Sequence, residues 1–350
     1  MDWRHGGDWA GYYERHGALP LDFSASISPL GLPEGVREAV MRSLDRADRY
    51  PDPFCRELRR SLGAALEVSP ERILCGNGAG DLIERAVQAV RPRQALVTAP
   101  TFSEYPAALR RAGCAVREHP LQCENGFRLT EAFLNDITPQ TDMVFLCEPN
   151  NPTGVTSARA LLEKVLERCR ACSALLVADE CFNGLLSDPA AHTLRGYLEG
   201  GSLLLLGAFT KLYAMPGLRL GYAVSEDADL LEAMGQCGQP WPVSSAAQAA
   251  GIAALEDGAY PVRLRRLLER ERPALKERLA SLGASNITGE ANYLLFRYPD
   301  LHLARKLEWK GILIRSCEDY PGLGPGWYRT AVRTEEENRR LLAAVREAAG

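Results

Sequence analysis

Between about residue 72 and residue 225, the sequence alternates short apolar runs with segments of helical periodicity. The runs have the length of single strands, and five of them are RILC (72–75), QALVTAP (94–100), DMVFLC (142–147), ALLVA (174–178) and SLLLLGAF (202–209). Helical patterns such as SARALLEKVLERCRAC separate them. Strands that alternate with helices in this way form a mostly parallel sheet with helices on both faces, so the sequence predicts an α/β fold.

The chain has 350 residues, which is more than most single hydrophobic cores contain. After about residue 240, two long amphipathic segments replace the alternation, and short strand-like runs such as NYLLFRY and WYRTAVR follow them. We therefore predict two domains. The large one covers residues 41–245, and a small α+β domain combines residues 1–40 with residues 246–350.

Composition excludes several classes of function. The net charge of −4 provides no basic field for nucleic acid or for an anionic membrane surface. No apolar run reaches the roughly 20 residues that span a bilayer, and MDWRHGGDWAGYY has no apolar signal core, so we expect a cytoplasmic protein. The ten cysteines are then expected to be thiols, and the Cys169–Cys172 pair lies in a helical pattern without a second pair, so we expect no metal site.

Polar residues follow the predicted strands at the ends where α/β proteins bind ligands. They are Gly76 to Asp81 after the first run, Thr101 and Phe102 after the second, Asn150 and Asn151 after the third, Asp179 and Glu180 after the fourth, and Thr210 and Lys211 after the fifth. If the strands are parallel and adjacent, these side chains meet in one crevice.

The residue types in this crevice suit a phosphorylated aromatic cofactor. A glycine turn that opens a helix offers backbone N–H groups to a phosphate at Ala79 and Gly80, and Thr210 and Arg219 add donors. Asp81 is better explained as a residue that caps the helix N-terminus.

Four further side chains have a role toward the ring of such a cofactor. Phe102 can stack on the ring, Asp179 can pair with a pyridinium nitrogen, and Asn151 can donate to a ring oxygen. Lys211 can form a Schiff base, and together these groups are what pyridoxal phosphate requires. Each residue alone also has an ordinary explanation as a core aromatic, a turn residue or a solvated lysine, and only the order and spacing of the set favour the cofactor.

Three motifs carry a resemblance to a known family. CEPNNPTG (147–154), VADE (177–180) and FTKLYAMPGLRLGY (209–222), in this order, resemble those of the fold-type I enzymes that depend on pyridoxal phosphate, in the class I and II aminotransferase branch. The resemblance implies a large domain with a mixed, mostly parallel sheet and a small α+β domain. It implies the roles given above for Ala79, Gly80, Phe102, Asn151, Asp179, Thr210, Lys211 and Arg219.

The same resemblance implies a homodimer. YPDP (50–53) matches the segment whose tyrosine reaches the cofactor phosphate of the neighbouring subunit, so Tyr50 is expected to act in trans. Relatives carry a tyrosine three residues after the aspartate, where this chain has Phe182, which cannot donate a hydrogen bond.

Within the family, HGGDW (5–9), DFSASISPLGLP (22–33) and the segment 312–342 resemble the threonine-phosphate decarboxylases, a branch related to the histidinol-phosphate aminotransferases. The resemblance implies decarboxylation of O-phospho-L-threonine to aminopropanol phosphate for cobamides. It implies substrate contacts from His5, Gly6, Ser28, Arg315, Arg329 and Arg333. Ser26 and Ser28 replace asparagines of that branch, so phosphoserine as substrate, an aminotransferase, and a protein that binds the cofactor without turnover remain alternatives.

Overall fold

The computed structural model of the chain describes residues 5–349. Its strands are β1 (Leu21–Asp22), β2 (Ile73–Gly76), β3 (Gln94–Ala99), β4 (Ala115–Pro120), β5 (Met143–Cys147), β6 (Leu175–Asp179), β7 (Leu203–Ala208), β8 (Gly221–Val224), β9 (Ser285–Thr288), β10 (Tyr293–Arg297), β11 (Ile312–Leu313), β12 (Arg315–Ser316) and β13 (Trp327–Ala331). Its α-helices are α1 (Trp9–His16), α2 (Glu34–Ser43), α3 (Arg56–Leu66), α4 (Ala79–Val90), α5 (Glu104–Arg111), α6 (Arg159–Ala171), α7 (Phe209–Leu212), α8 (Ala228–Gln236), α9 (Ser245–Glu256), α10 (Ala259–Ser281), α11 (Leu303–Glu308) and α12 (Glu335–Ala349).

Seven strands form the principal sheet, in the order β2-β8-β7-β6-β5-β3-β4. β8 runs antiparallel to both of its neighbours, and the other pairs are parallel. The predicted α/β fold with a mixed, mostly parallel sheet is therefore confirmed. The five apolar runs of the sequence are its strands β2, β3, β5, β6 and β7, with each end shifted by at most one residue.

Helices cover both faces of this sheet, and β5 shows why its run is apolar throughout. Met143 and Phe145 pack into a cluster with α4, α5 and α8, whereas Val144 and Leu146 point to the opposite face, toward α3, α6 and α9. Successive side chains of a strand point to opposite faces, so a strand covered on both sides has no polar position.

A second, antiparallel sheet has the order β12-β13-β10-β9, and β1 pairs with β11 in a short parallel sheet. The amide of Ala331 in β13 donates to the carbonyl of Phe23 just after β1. The segment after β1 therefore lies against the second sheet. This contact agrees with the prediction that residues 1–40 pack with the C-terminal part. The domain boundaries themselves stay a prediction. Within residues 5–349, no helix combines the length and the apolar composition that crossing a membrane requires.

Candidate active site

A cavity of about 600 Å³ lies at the carboxyl ends of the parallel strands. Residues that follow β2, β3, β5, β6 and β7 contribute to its wall, as do the N-terminal segment and the second sheet. Twelve of the residues singled out in the sequence line it: His5, Gly6, Ala79, Gly80, Phe102, Asn151, Asp179, Thr210, Lys211, Arg219, Arg315 and Arg329. The structure thus brings together residues that are more than 300 positions apart in the chain.

Three other predicted residues lie outside this cavity wall. The Ser28 hydroxyl bonds the Tyr260 hydroxyl at 2.7 Å. Arg333 donates to the Asp22 carbonyl at 3.2 Å and to Glu337 at 2.7 Å. Neither side chain lines the cavity, and Arg333 Nε is buried without a hydrogen-bond partner among the described residues, so the substrate contacts of Ser28 and Arg333 stay predictions.

Tyr50 is the third, and it is 78% exposed. Its ring stacks on Trp241 with the ring centroids 4.2 Å apart. A side chain that projects from the protomer in this way cannot serve its own cavity, and its predicted role in trans stays a prediction.

The N-terminus of α4 forms one end of the cavity and has the geometry of an anion cradle. Gly78, the residue before the helix, has φ +81°, and a Cβ there would lie 2.6 Å from Arg219 Nη2. Glycine therefore allows the guanidinium to approach the backbone closely. The Asp81 carboxylate accepts from the Asn77 amide and from Arg85 Nε, both at 2.9 Å, which accords with its predicted role at the helix start. The N–H groups of this first turn and Arg219 then offer positive charge to an anion.

Lys211 lies on the one-turn helix α7, directly after β7, and its side chain enters the cavity. Its Nζ makes no hydrogen bond with any residue between 5 and 349. Burial, followed by the positive charge of Arg329, lowers the pKa of Lys211 to about 8. The amine is therefore neutral in part of the molecules near neutral pH, and the neutral amine is the nucleophilic form.

Asp179 ends β6 and is 5% exposed. Its Oδ1 accepts from the Cys181 amide at 3.0 Å, and its Oδ2 accepts from the Tyr105 hydroxyl at 2.6 Å. Two donors from different elements thus fix the plane of the carboxylate. Sequence reasoning missed Tyr105, which lies in the first turn of α5, three residues after Phe102, and whose amide donates to the Phe102 carbonyl at 3.3 Å.

Arg329 in β13 is 7% exposed and joins three parts of the chain. It donates to Asn151 Oδ1 through Nη1 and to the Ser24 carbonyl at 2.9 Å through Nη2. Its Nε is buried and has no hydrogen-bond partner among the described residues. Because a guanidinium only donates hydrogen bonds, it must face the oxygen of the Asn151 amide. Asn151 Nδ2 is then left to donate to a ligand.

Two side-chain pairs, His5 with Glu104 and Arg315 with Asp319, lie at the mouth of the cavity. His5 Nε2 lies 3.0 Å from Glu104 Oε1, and this contact lowers the pKa of Glu104. Arg315 Nη2 contacts the Asp319 carboxylate at 2.7 and 2.8 Å. Sequence reasoning also missed other wall residues: Ser24, Glu104, Cys147, Cys181 and Tyr320.

Phe182 lines the cavity at the position where relatives were expected to carry a tyrosine. Lys211 Nζ lies 5.8 Å from the centre of its ring. The ring packs edge-on against Tyr293, with the centroids 5.0 Å apart. Phe182 therefore fills space beside the lysine without offering a hydrogen bond to a ligand.

These features together fit a phosphorylated pyridine aldehyde. The α4 cradle and Arg219 suit its phosphate, the Phe102 ring suits its face, and the fixed Asp179 carboxylate suits a ring N–H. Asn151 Nδ2 suits a ring oxygen, and the unbonded Lys211 amine suits the aldehyde carbon. In the part of the chain that the structure describes, no cluster of histidine, cysteine or acidic side chains has the arrangement of a metal site.

Comparisons with known proteins give a consistent result. The family described as aminotransferase class I and II matches residues 20–345. Threonine-phosphate decarboxylase of Salmonella typhimurium is 39% identical over 329 residues, which cover 93% of this chain and 90% of that protein. The adenosylcobalamin biosynthesis bifunctional protein of Leptospira interrogans is 30% identical, and the match covers 97% of this chain but 40% of that protein. The histidinol-phosphate aminotransferase structure of Clostridium acetobutylicum aligns with a TM-score of 0.88 at 26% identity, covering 94% of this chain and 99% of that one.

Proposed function

The chain belongs to the family of class I and II aminotransferases, and on this premise we propose that it decarboxylates O-phospho-L-threonine to aminopropanol phosphate. Its cofactor is pyridoxal 5′-phosphate. One observation carries the proposal: beyond the residues that suit the cofactor, the same cavity holds a second set of hydrogen-bonding side chains, made of His5, Arg315 and Arg329. A substrate with both a carboxylate and a phosphate needs such a second set.

When bound, pyridoxal phosphate supplies an electron sink for the electron pair released at the substrate Cα. The Asp179 carboxylate, which two hydrogen-bond donors hold in place, would keep a proton on the ring nitrogen. Asn151 Nδ2, oriented by Arg329, donates to the ring oxygen. Phe102 covers one ring face and, with Phe182 and Tyr105, keeps water from the reacting bonds.

The bond that breaks depends on how the substrate is held. The Arg329 guanidinium attracts the substrate carboxylate, while His5 and Arg315 at the mouth attract its phosphate. Once the carboxylate has left as carbon dioxide, the protonated Lys211 side chain would give a proton to Cα as general acid and become the neutral amine. Each of these side chains acts on a named atom or group of the substrate, and none of them needs a further cofactor.

The similarity to a protein of adenosylcobalamin biosynthesis supports a product that enters the cobamide side chain. Phosphoserine is a second candidate substrate on the sequence resemblance alone, because Ser26 and Ser28 do not line the cavity. The alternative is an aminotransferase of the histidinol-phosphate type, and it is favoured by the fold match at a TM-score of 0.88. In transamination, Lys211 moves the Cα proton instead of replacing a lost carboxylate. The two reactions otherwise use nearly the same residues.

The experiment that separates these functions is product analysis by mass spectrometry. Holoenzyme incubated with O-phospho-L-threonine and no keto acid is expected to release carbon dioxide and yield aminopropanol phosphate. Phosphoserine and histidinol phosphate are run in parallel. Conversion of bound cofactor to its amine form by histidinol phosphate, with no carbon dioxide from either phosphoamino acid, would instead establish the aminotransferase.

The pKa of Lys211 predicts how apoprotein takes up its cofactor. Because burial lowers this pKa to about 8, the neutral amine fraction rises about tenfold for each pH unit up to 8 and then levels off. The rate at which apoprotein captures pyridoxal phosphate, followed by stopped-flow absorbance, should also rise about tenfold for each pH unit and level off above pH 8. N-acetyl-lysine amide is the control, with its inflection near 10.5. An enzyme inflection near that of the control would show that the site does not perturb the amine.

We also propose that the active unit is a homodimer. Tyr50, Phe54 and Trp241 expose 78%, 59% and 41% of their surface. Tyr50 and Trp241 stack on each other, and large exposed aromatic rings are typical of a protein interface. In such a dimer Tyr50, held by its stack on Trp241, would reach the partner's cofactor phosphate.

A further inference from the structure

The Tyr105 hydroxyl lies in an environment built around Asp179. Tyr105 is fully buried, and its hydroxyl donates to Asp179 Oδ2 at 2.6 Å. Its ring stacks on Phe145 with the centroids 5.0 Å apart and meets Phe102 edge-on at 5.4 Å. One side chain therefore contacts both the carboxylate that suits the ring nitrogen and the ring that suits the cofactor face.

The contact leaves little freedom to either partner. Burial, and after it the charge of Asp179, raises the pKa of Tyr105 well above its usual value, so the phenol stays a donor at every working pH. Contacts with Phe145 and Phe102 hold the ring, and with it the position of the phenol oxygen. On the other side of the carboxylate, Oδ1 accepts from the Cys181 amide at 3.0 Å.

A carboxylate has about four lone-pair positions. Tyr105 and Cys181 occupy one on each oxygen of Asp179, and the carboxylate also lines the cavity. The remaining positions are then held in a fixed direction, and a charge-assisted hydrogen bond gains strength when its acceptor is oriented beforehand.

We propose that Tyr105 is a positioning residue that acts through Asp179 and sets how strongly the site holds the N–H of the cofactor's pyridine ring. The proposal rests on the role proposed above for Asp179, and it is independent of which substrate the enzyme takes. It predicts that loss of the Tyr105 hydroxyl weakens one specific contact, that with the ring nitrogen, and not cofactor binding in general.

The test compares two ligands on apoprotein, pyridoxal phosphate and an analogue in which carbon replaces the ring nitrogen. The measured quantity is the ratio of their dissociation constants, from absorbance titration. Y105F, which keeps the packed ring, is expected to reduce the preference for pyridoxal phosphate about tenfold, as the loss of a hydrogen bond to a charged group implies. Its affinity for the analogue should change less than twofold. Equal weakening of both ligands would overturn the proposal and leave Tyr105 a packing residue.

Two further variants locate the effect. Y298F also removes one buried tyrosine hydroxyl, which donates to the Leu282 carbonyl at 3.1 Å, and it should leave the ratio unchanged. D179N should remove the preference, and Y105F added to D179N should then have no further effect. If D179N keeps the preference, the role of Asp179 is wrong. If D179N loses the preference but Y105F does not lower it, only the inference about Tyr105 is wrong. Thermal unfolding of each apoprotein establishes that the variants fold.

Discussion

Lys211→Ala is expected to leave a folded protein that still binds pyridoxal phosphate but has lost turnover of its substrate by roughly 10³–10⁴-fold or more. The α4 cradle, Arg219, Phe102 and Asp179 remain, so the phosphate and the ring keep their partners. What is lost is the only lysine among the described residues that line the cavity. Single-turnover assays with the substrate identified by mass spectrometry, together with the visible spectrum of bound cofactor, measure both halves of this expectation.

Lys211→Met is the matched variant because it keeps the length of the side chain. A buried lysine with a pKa of about 8 carries a desolvation cost while it is protonated in the fold. The unfolded chain keeps its lysine protonated up to about 10.5. Wild-type apoprotein should therefore gain stability as the pH rises from 8 toward 10.5. The methionine variant should have the higher Tm at pH 8, and the difference in Tm between the two proteins should shrink as the pH rises toward 10.5. A constant difference in Tm across these pH values would mean that Lys211 is not perturbed by burial.

The position of this lysine is also the part of the site that sequence predicts best. Residues after β2, β3, β5, β6 and β7 could be assigned to one cavity because parallel strands place their carboxyl ends at the same edge. Each strand is an apolar run of nearly its observed length, since both faces of the sheet are covered. Phe102, Asn151, Asp179 and Lys211 needed no knowledge of side-chain direction beyond that rule.

Contacts between distant segments could not be predicted in the same way. Tyr105 and Asp179 are 74 residues apart, and a tyrosine in an amphipathic helix is equally expected in a core. The Ser28 hydroxyl bonds Tyr260, 232 residues away, so its direction depends on where the long helix α10 crosses the N-terminal segment. Arg333 is similar, since it donates to the Asp22 carbonyl, 311 residues away. Sequence gives the segment that carries such a residue but not the face on which its polar atoms find partners.

Arg329→Met is expected to lower kcat/KM by about 10²–10³-fold and to cost roughly 2–4 kcal/mol of unfolding free energy. The variant removes the charge that attracts the substrate carboxylate. It also leaves Asn151 Oδ1 and the Ser24 carbonyl as buried acceptors without their donor. Because the charge of Arg329 is the second cause that lowers the pKa of Lys211, the pH inflection of cofactor capture should move upward in the same variant. Steady-state kinetics, urea unfolding and the stopped-flow pH profile measure the three effects.

Two controls separate the charge of Arg329 from its hydrogen-bonding geometry. Arg329→Lys keeps a cation but cannot reach two acceptors with a planar fork, so it should retain the low pH inflection of Lys211 while recovering little of kcat/KM. Arg272→Met removes another partly buried arginine, which donates to the Ala291 carbonyl at 3.1 Å away from the cavity wall. It should lower stability without changing kcat/KM or the inflection. If Arg329→Lys were fully active, charge alone would be sufficient, and the link through Asn151 and Ser24 would have no part in catalysis.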